Sequence, residues 1–515
     1  MPAPAQSATM RDDALISGLT DEQALAAGTA ARGVFIEAGP GTGKTTVAAH
    51  RYTALRYRPY DRSDARAIIA VNFTRAATAN LRRRVRRFTG PAATAWPHRI
   101  ITFDTVMSDL LHHLLRTGDV RWPGGLTALK VEDSWNILGE TFWTNQTYTL
   151  VLRDGTVVAQ RLFADDRAAR PDLRAIGRKF NDGVCTHGDV RLLVAAAMAT
   201  GNLRVRLRER LASTVRALIV DEVFDANDLD VAVLRLAAEA GVELTLVGDP
   251  WQALYLFRGA RPALVRQLIS ETGLRVLPLT KSFRWRSAEQ ATVASQLRAG
   301  AAVPLLRVEA DAIPRQAVDV VLVLGTEWKP LWELGEMVLP LAFRGFKGTV
   351  EEAAATILLN HVTRNVLGED ATYLGDALTS LAITDVETPR KLEPELAGIL
   401  EMLKAPGRPA AATAWTDLTR ILNQVSPRQF RTANWRYTDR LQLVAARLRH
   451  QHRPVPGLTT HQAKGREWDT VGFRLTDSQA ALLAQGLDAG DDTARIRCCN
   501  PSAAPDRCRQ SASGR

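Results

Sequence analysis

Short apolar runs alternate along the chain with longer stretches whose apolar positions recur every three or four residues. "GVFIEA" (33–38), "AIIAVNF" (67–73), "RIITF" (99–103), "ALIVDE" (217–222) and "LTLVGD" (244–249) each end in polar or glycine residues and precede a helix-compatible segment. This alternation predicts an α/β fold with a parallel sheet, whose functional groups gather at the carboxyl ends of the strands. Residues 104–216 differ in texture, carrying Trp122, Trp135 and Trp143 and the alternating stretch "YTLVLRDGTVVAQ" (148–160), which predicts a hairpin turning at Asp154-Gly155. A second α/β set is expected to begin at "LRVLPLT" (274–280) and to continue through "AATILLN" (354–360) and "TVGFRL" (470–475). The resulting partition is a first core over 1–110 and 211–280 with an inserted subdomain at 111–210. A second core follows over 281–385 and 451–496 with a reduced helical insertion at 386–450, then a tail at 497–515 without apolar periodicity.

Length and composition narrow the class. At 515 residues the chain exceeds what one hydrophobic core organises. Cys185 stands alone and Cys498, Cys499 and Cys508 crowd the end, which is neither a disulfide framework nor a zinc spacing and fits a reducing cytoplasm. The sequence contains no run of eighteen apolar residues and no basic-flanked apolar leader, so a cytoplasmic protein without membrane attachment is expected. A net charge of +11 favours a polyanionic partner. Its sharpest cluster, "LRRRVRRF" (81–88), is equally a solvated helix face or a phosphate clamp.

The chemistry begins at "AGPGTGKTT" (38–46). A glycine-rich turn between strand and helix aims backbone N–H groups at phosphates; here it comprises Gly39, Gly41, Thr42 and Gly43, with Lys44 supplying counter-charge, the Thr45 hydroxyl placed for Mg²⁺, and Thr46 following. The strict pattern starts with glycine, where this chain has Ala38. Such a site needs a carboxylate on a neighbouring strand; "ALIVDE" offers Asp221 for Mg²⁺ and Glu222 as the base that orients and deprotonates water. ATP and Mg²⁺ are the expected ligands.

In motif order, the sequence resembles the UvrD/Rep-like superfamily 1 DNA helicases over most of its length. "LTDEQ" looks like the adenine-reading segment, with Gln23 at the base edge. "VNFTRAATANLRRRV" and "RIITFDTVMSDLL" resemble two single-strand contact motifs, carrying Phe73, Thr74, Arg75, Thr102 and Phe103, with Asp104 where the second usually has histidine. "LIVDEVFDAND" has Phe224 in place of glutamine and keeps Asp221, Glu222 and Asp225. "LVGDPWQALYLFRGA" matches the coupling motif, which implies a γ-phosphate sensor at Gln252 and DNA contacts at Tyr255, Phe257 and Arg258. "LTKSFRW" implies adenine stacking by Phe283 and a γ-phosphate contact by Arg284. "LTTHQAKGREWDTV" supplies Thr459 and His461 towards DNA and Gly465 and Glu467 towards nucleotide.

The resemblance implies two tandem RecA-like P-loop cores, each with a mainly helical insertion, that close on ATP and ratchet along single-stranded DNA or DNA with single-stranded tails in the 3′-to-5′ direction. The family's final arginine-bearing segment is not found after "LDAGDDTARI", where "RCCNPSAAPDRCRQSASGR" follows. This departure carries the expectation of a truncated or frameshifted end and slow hydrolysis. Two other readings stay open: a catalytically weak ATP- and DNA-binding protein, and a motor subunit for a nuclease or repair partner. If Tyr255 and Phe257 form a base platform, each alanine substitution should cost ~1–3 kcal/mol of single-strand affinity with little change in salt slope, whereas substitutions in Arg82–Arg87 should lower the slope; titrations at several salt concentrations separate the two.

Overall fold

The computed structural model describes residues 18–58, 64–135, 141–252, 259–285, 287–303, 321–383, 385, 388–430, 435–464, 468 and 470–486. They fall into two compact units, one drawn from 1–132, 145–167 and 173–292 and the other from 133–144, 168–172 and 293–515.

The first unit is built on strands β1 (Gly33–Ala38), β2 (Ala67–Asn72), β3 (Arg99–Thr102), β8 (Val215–Val220), β9 (Glu243–Gly248) and β10 (Arg275–Leu279). They form one parallel sheet in the order β10-β1-β9-β8-β2-β3. Every residue of β2, β8 and β9 is buried, because helices cover both faces of the sheet. Side chains alternate between those faces. Val34, Ile36, Ile68, Ala70, Ala217 and Ile219 meet Val47, Ala48, Tyr52 and Leu55 of the Lys44–Tyr57 helix and Leu81 and Val85 of the Arg75–Thr89 helix. Phe35, Ile69, Val71, Leu218, Val220 and Leu244 face the other side.

That second face is continuous with the stretch read as an insertion. Leu110, Leu111 and Leu114 of the Phe103–Thr117 helix, Leu193 and Val194 of His187–Ala199, and Leu207 and Leu211 of Gly201–Thr214 share one cluster with the sheet. Trp122 is buried with them and donates to the Phe180 carbonyl at 2.8 Å. Strands β4 (Lys130–Glu132) and β7 (Val184–Thr186) pair in parallel beside it. Strands β5 (Thr141–Arg153) and β6 (Thr156–Pro171) form the hairpin, turning at Asp154 (φ 48°) and Gly155 (φ 71°) as Asp-Gly predicts.

The second unit carries a parallel sheet ordered β12-β13-β11-β14, from β11 (Leu322–Gly325), β12 (Val338–Pro340), β13 (Val455–Thr459) and β14 (Val471–Phe473). Helices Glu393–Lys404, Arg408–Val425 and Trp435–Arg449 pack around Trp415, which stacks on Tyr437 at 4.9 Å. Arg447, buried, caps this bundle by donating to the Val338, Trp332 and Gly335 carbonyls.

Three expectations are corrected. "LRVLPLT" does not open a second sheet: β10 is the edge strand of the first, registered Val34↔Arg275 to Ala38↔Leu279, and Pro278 is tolerated there because an edge strand leaves one side of its ladder unpaired. "AATILLN" is not a strand but the middle of the Val350–Leu367 helix, which Thr349 caps at one end and Gly368 (φ 76°) at the other. Residues 352–363 are all buried, so this stretch has no solvent-facing side and "AATILLN" shows no amphipathic period that would distinguish it from a strand. Residues 281–292 group with the first unit rather than the second.

Arg51 fastens the first sheet to its helices. It is fully buried, pairs with Glu243 at 2.9 Å, and donates to the carbonyls of Ala27, Thr29 and Ala31 and to the Thr245 hydroxyl. Desolvation pulls its pKa down to about 10 against the attraction of Glu243. Arg51→Ala leaves Glu243 with Arg58 at 3.2 Å as its remaining ion-pair partner among the described residues and removes the donor to three carbonyls, and is expected to lower the stability of this unit by ~2–4 kcal/mol in urea unfolding.

Candidate functional site

The site lies at the carboxyl ends of β1, β8 and β9. β1 ends at Ala38, and residues 39–43 turn into the Lys44–Tyr57 helix, with Gly41 (φ 72°) and Gly43 (φ 83°) both left-handed. A Cβ on Gly43 would sit 2.7 Å from Gln23 Nε2, and one on Gly41 would sit 2.3 Å from Arg284 Cβ, so both positions need glycine for space as well as conformation. The first N–H groups of an α-helix have no carbonyl one turn earlier within the helix, an arrangement suited to anions.

Lys44 Nζ donates to the Ala38 and Gly39 carbonyls, both at 3.3 Å, and to Gln252 Oε1 at 3.0 Å. Next along the helix, the Thr45 hydroxyl donates to Asp221 Oδ2 at 3.2 Å. The same oxygen accepts from Asn72 Nδ2 at 3.4 Å, and Asp221 Oδ1 accepts from the Glu222 N–H at 3.0 Å. Asp221 is buried. Desolvation first, then the neighbouring Glu222 charge, raises its pKa well above the carboxylate range, while Lys44 and Thr45 pull the other way. A buried aspartate beside a half-buried glutamate and a hydroxyl is a hard-oxygen donor set, which fits a divalent cation held by Thr45 and Asp221. Glu222 leaves the strand in a left-handed conformation (φ 59°, ψ 42°), costly for a residue with a Cβ. Thr46 accepts from Arg84 Nη1 at 2.8 Å, which brings the arginine-rich helix against the start of the phosphate-facing helix.

The segment after β10 packs on this turn. Thr280 donates its N–H and hydroxyl to the Glu22 carboxylate, both at 2.7 Å. Ser282 Oγ donates to the Pro40 carbonyl at 2.7 Å, and the Phe283 N–H to the Gly41 carbonyl at 2.9 Å. Arg284 is thereby placed over Gly41 within the first unit, whereas the sequence reading assigned it to the second core. Phe283 is 55% exposed beside the turn, with Lys281 over its ring at 5.4 Å.

Gln23 is buried and has local work. Its Oε1 accepts from the Thr20 N–H at 3.0 Å in a capping box for the Asp21–Gly28 helix, and its Nε2 donates to the Thr42 carbonyl at 2.8 Å. Both ends of the amide are used, so the side chain is a strut under the phosphate-facing turn.

The residues expected at DNA are dispersed over several environments. Phe103 is buried and stacks on Phe73 at 5.6 Å; Thr74 and Thr102 are N-caps, accepting from the Ala77 and Thr105 N–H groups; Arg75 is exposed at the start of its helix. Asp104 pairs with Arg191 at 2.7 Å, which also holds Asp230 at 2.9 Å. That ion triad accounts for the acid where histidine was expected, and only the fold brings its three members together. In the second unit Thr459 is buried and caps the Thr460–Ala463 helix, which contains His461. Tyr255, Phe257, Arg258, Gly465 and Glu467 lie outside the described residues, as does 487–515.

Gln23→Ala removes both the cap and the strut. Affinities for ATP and GTP are expected to fall together, by about tenfold, since ~1 kcal/mol of cap and a further hydrogen bond are lost. Loss of ATP affinity alone, in competition titrations, would instead make Gln23 a base reader.

Among known proteins, the model of the AAA domain family matches residues 21–258. DNA helicase II of Escherichia coli (strain K12) is 24% identical over 296 residues, 52% of this chain and 39% of that protein. The ATP-dependent DNA helicase UvrD2 of Mycobacterium tuberculosis (strain ATCC 25618 / H37Rv) is 28% identical over 280 residues, 49% and 39%. RecBCD enzyme subunit RecB of Mycobacterium tuberculosis (strain CDC 1551 / Oshkosh) is 35% identical over 115 residues, 22% and 9%. The alignments with the first two span about two fifths of those relatives' length. Through its first half, which holds the phosphate-facing turn, the acidic pair and Gln252, this chain is related to the UvrD/Rep-like superfamily 1 helicases.

Proposed function

We propose that the chain is an ATP-dependent translocase or helicase acting on single-stranded DNA, with 3′-to-5′ polarity, and that its two parallel sheets are tandem RecA-like cores. The observation that carries the reading is the convergence of Lys44, Thr45, Asp221, Glu222 and Gln252 at one sheet edge. A phosphate in the turn would take up N–H groups at the start of the Lys44–Tyr57 helix, and Lys44 would exchange the Ala38 and Gly39 carbonyls for phosphate oxygens. Mg²⁺, held by Thr45 and Asp221, would neutralise charge between the β- and γ-phosphates. Glu222 is the base that takes a proton from the attacking water. Because Gln252 accepts from Lys44, a change in the partners of Lys44 reaches the segment that follows Gln252, the coupling stretch of the sequence reading.

The named activities of the relatives, ATP-dependent DNA helicases among them, support the DNA substrate. Phe283 and Arg284, seated on the turn, are proposed to meet the base and the γ-phosphate. Among the described residues no helix is long and apolar enough to cross a membrane.

Lys44→Ala is expected to abolish ATP turnover while the fold survives. Glu222→Gln is expected to retain Mg·ATP binding and lose turnover by about 10²–10⁴-fold, the usual contribution of a general base. Single-turnover ATPase assays with and without a thymidine oligomer check both. Parental turnover in Glu222→Gln would remove Glu222 from catalysis, and absence of DNA stimulation in the parent would favour a nucleotide-binding protein without motor function.

A further inference from the structure

The far edge of the first sheet holds a cavity of about 310 Å³, at the opposite ends of the strands from the phosphate-facing turn. It opens where β2, β3 and β8 begin, at Ala67, Arg99 and Val215, and its floor is apolar, with Ile69, Val106, Leu110 and Leu211 among its lining. Arginines occupy the mouth. Arg66 is matched by Asp64 at 2.8 Å and by the Ala212 carbonyl at 3.0 Å. Arg99 pairs with Asp109 through Nη2, while its buried Nε meets no partner.

Arg210 differs from both: its guanidinium makes no hydrogen bond or ion pair among the described residues. Burial, then the like charges of Arg116 and Arg99, lowers its pKa against the pull of Asp109. Two further groups complete the site. Trp96 stands at the rim 80% exposed, with the Arg99 guanidinium 5.8 Å from its ring centre. A solvent-facing indole is a flat apolar surface on which a base can stack, and a guanidinium fork without a hydrogen-bond partner among the described residues matches the oxygens of a phosphate.

We propose that this cavity is an accessory nucleotide site, with a base stacked on Trp96 and a phosphate held by Arg210 and Arg99. A volume near the lower bound for ligand pockets suits one nucleotide and not an extended peptide. The excess of arginine over carboxylate favours a phosphate, with two oxygens for a guanidinium, over a neutral ligand. The nucleotide can arrive free or as one unit of a single strand; the chemistry is shared. The site lies on the opposite sheet edge from Lys44 and does not depend on ATP turnover.

The test is calorimetric titration of the full chain with thymidine 5′-monophosphate and, separately, with a thymidine oligomer. Parent, Lys44→Ala, Trp96→Ala, Trp96→Phe and Arg210→Ala are compared, with melting temperature as a check on folding. Among the described residues neither the Trp96 nor the Arg210 side chain makes a hydrogen bond, so the variants are expected to melt like the parent. Monophosphate binding should survive Lys44→Ala and Trp96→Phe and weaken about tenfold or more in Trp96→Ala and Arg210→Ala, the fold-change of a stacked base or a charged hydrogen bond. A parallel loss with the oligomer places a strand in the site, and a loss with the monophosphate alone places a free nucleotide there; either supports the proposal. Unchanged affinity for both probes in both alanine variants overturns it, as does monophosphate binding lost in Lys44→Ala and kept in Arg210→Ala. Failure of ATP turnover leaves these outcomes unaffected, so this inference and the motor reading fall separately.

Discussion

The acidic pair at the end of the central strand depends on Lys44 for its charge balance, and the rest of the site follows from that balance. β8 is buried along its whole length, so Asp221 emerges from a low-dielectric sheet next to a second carboxylate. Among the described residues, relief comes from Lys44, the Thr45 hydroxyl, the Glu222 N–H and the Asn72 amide. A charge so placed has few ways to be satisfied: it takes up a proton or it takes up a cation. The turn between β1 and its helix supplies the complementary condition, a set of N–H donors without side chains in the way. The proposed magnesium–phosphate ligand would answer both at once.

Much of this was legible because its causes are local. A strand, a glycine-rich turn and a helix sit consecutively between Gly33 and Tyr57, and "ALIVDE" announces its carboxylates within one strand. The Asp154-Gly155 hairpin was legible for the same reason, since two adjacent residues must take positive φ. The edge strand β10 was assigned to the wrong sheet because nothing within "LRVLPLT" tells which neighbour it will pair with; partner choice is set by Val34–Ala38, far away in sequence. The Val350–Leu367 helix was mistaken because full burial erases the polar face that marks a helix.

Site residues followed the same division. Lys44, Thr45, Asp221 and Gln252 meet where their motifs suggest. Phe103, taken for a base contact, turns inward because its helix must bury one face against Ile69 and Val71; side-chain direction is fixed by the packing partner, which no motif encodes. Gln23 shows how a residue can carry a family pattern and also a local duty, since capping a helix and bracing Thr42 need the same amide. The arginine-lined cavity was beyond reach, because its members come from residues 66, 96, 99 and 210 and only the sheet assembles them.

The hydrogen bonds from Thr280 to Glu22, Ser282 to Pro40 and Phe283 to Gly41 have a mechanical meaning. They moor the outgoing chain to the Asp21–Gly28 helix and to the turn, ahead of Val293, where the last segment of the second unit begins. A displacement of Pro40 or Gly41 would therefore pull directly on the outgoing chain, as on a short tether. Slack in that tether would be set by four hydrogen bonds, two of them from Thr280, each of which can be loosened singly.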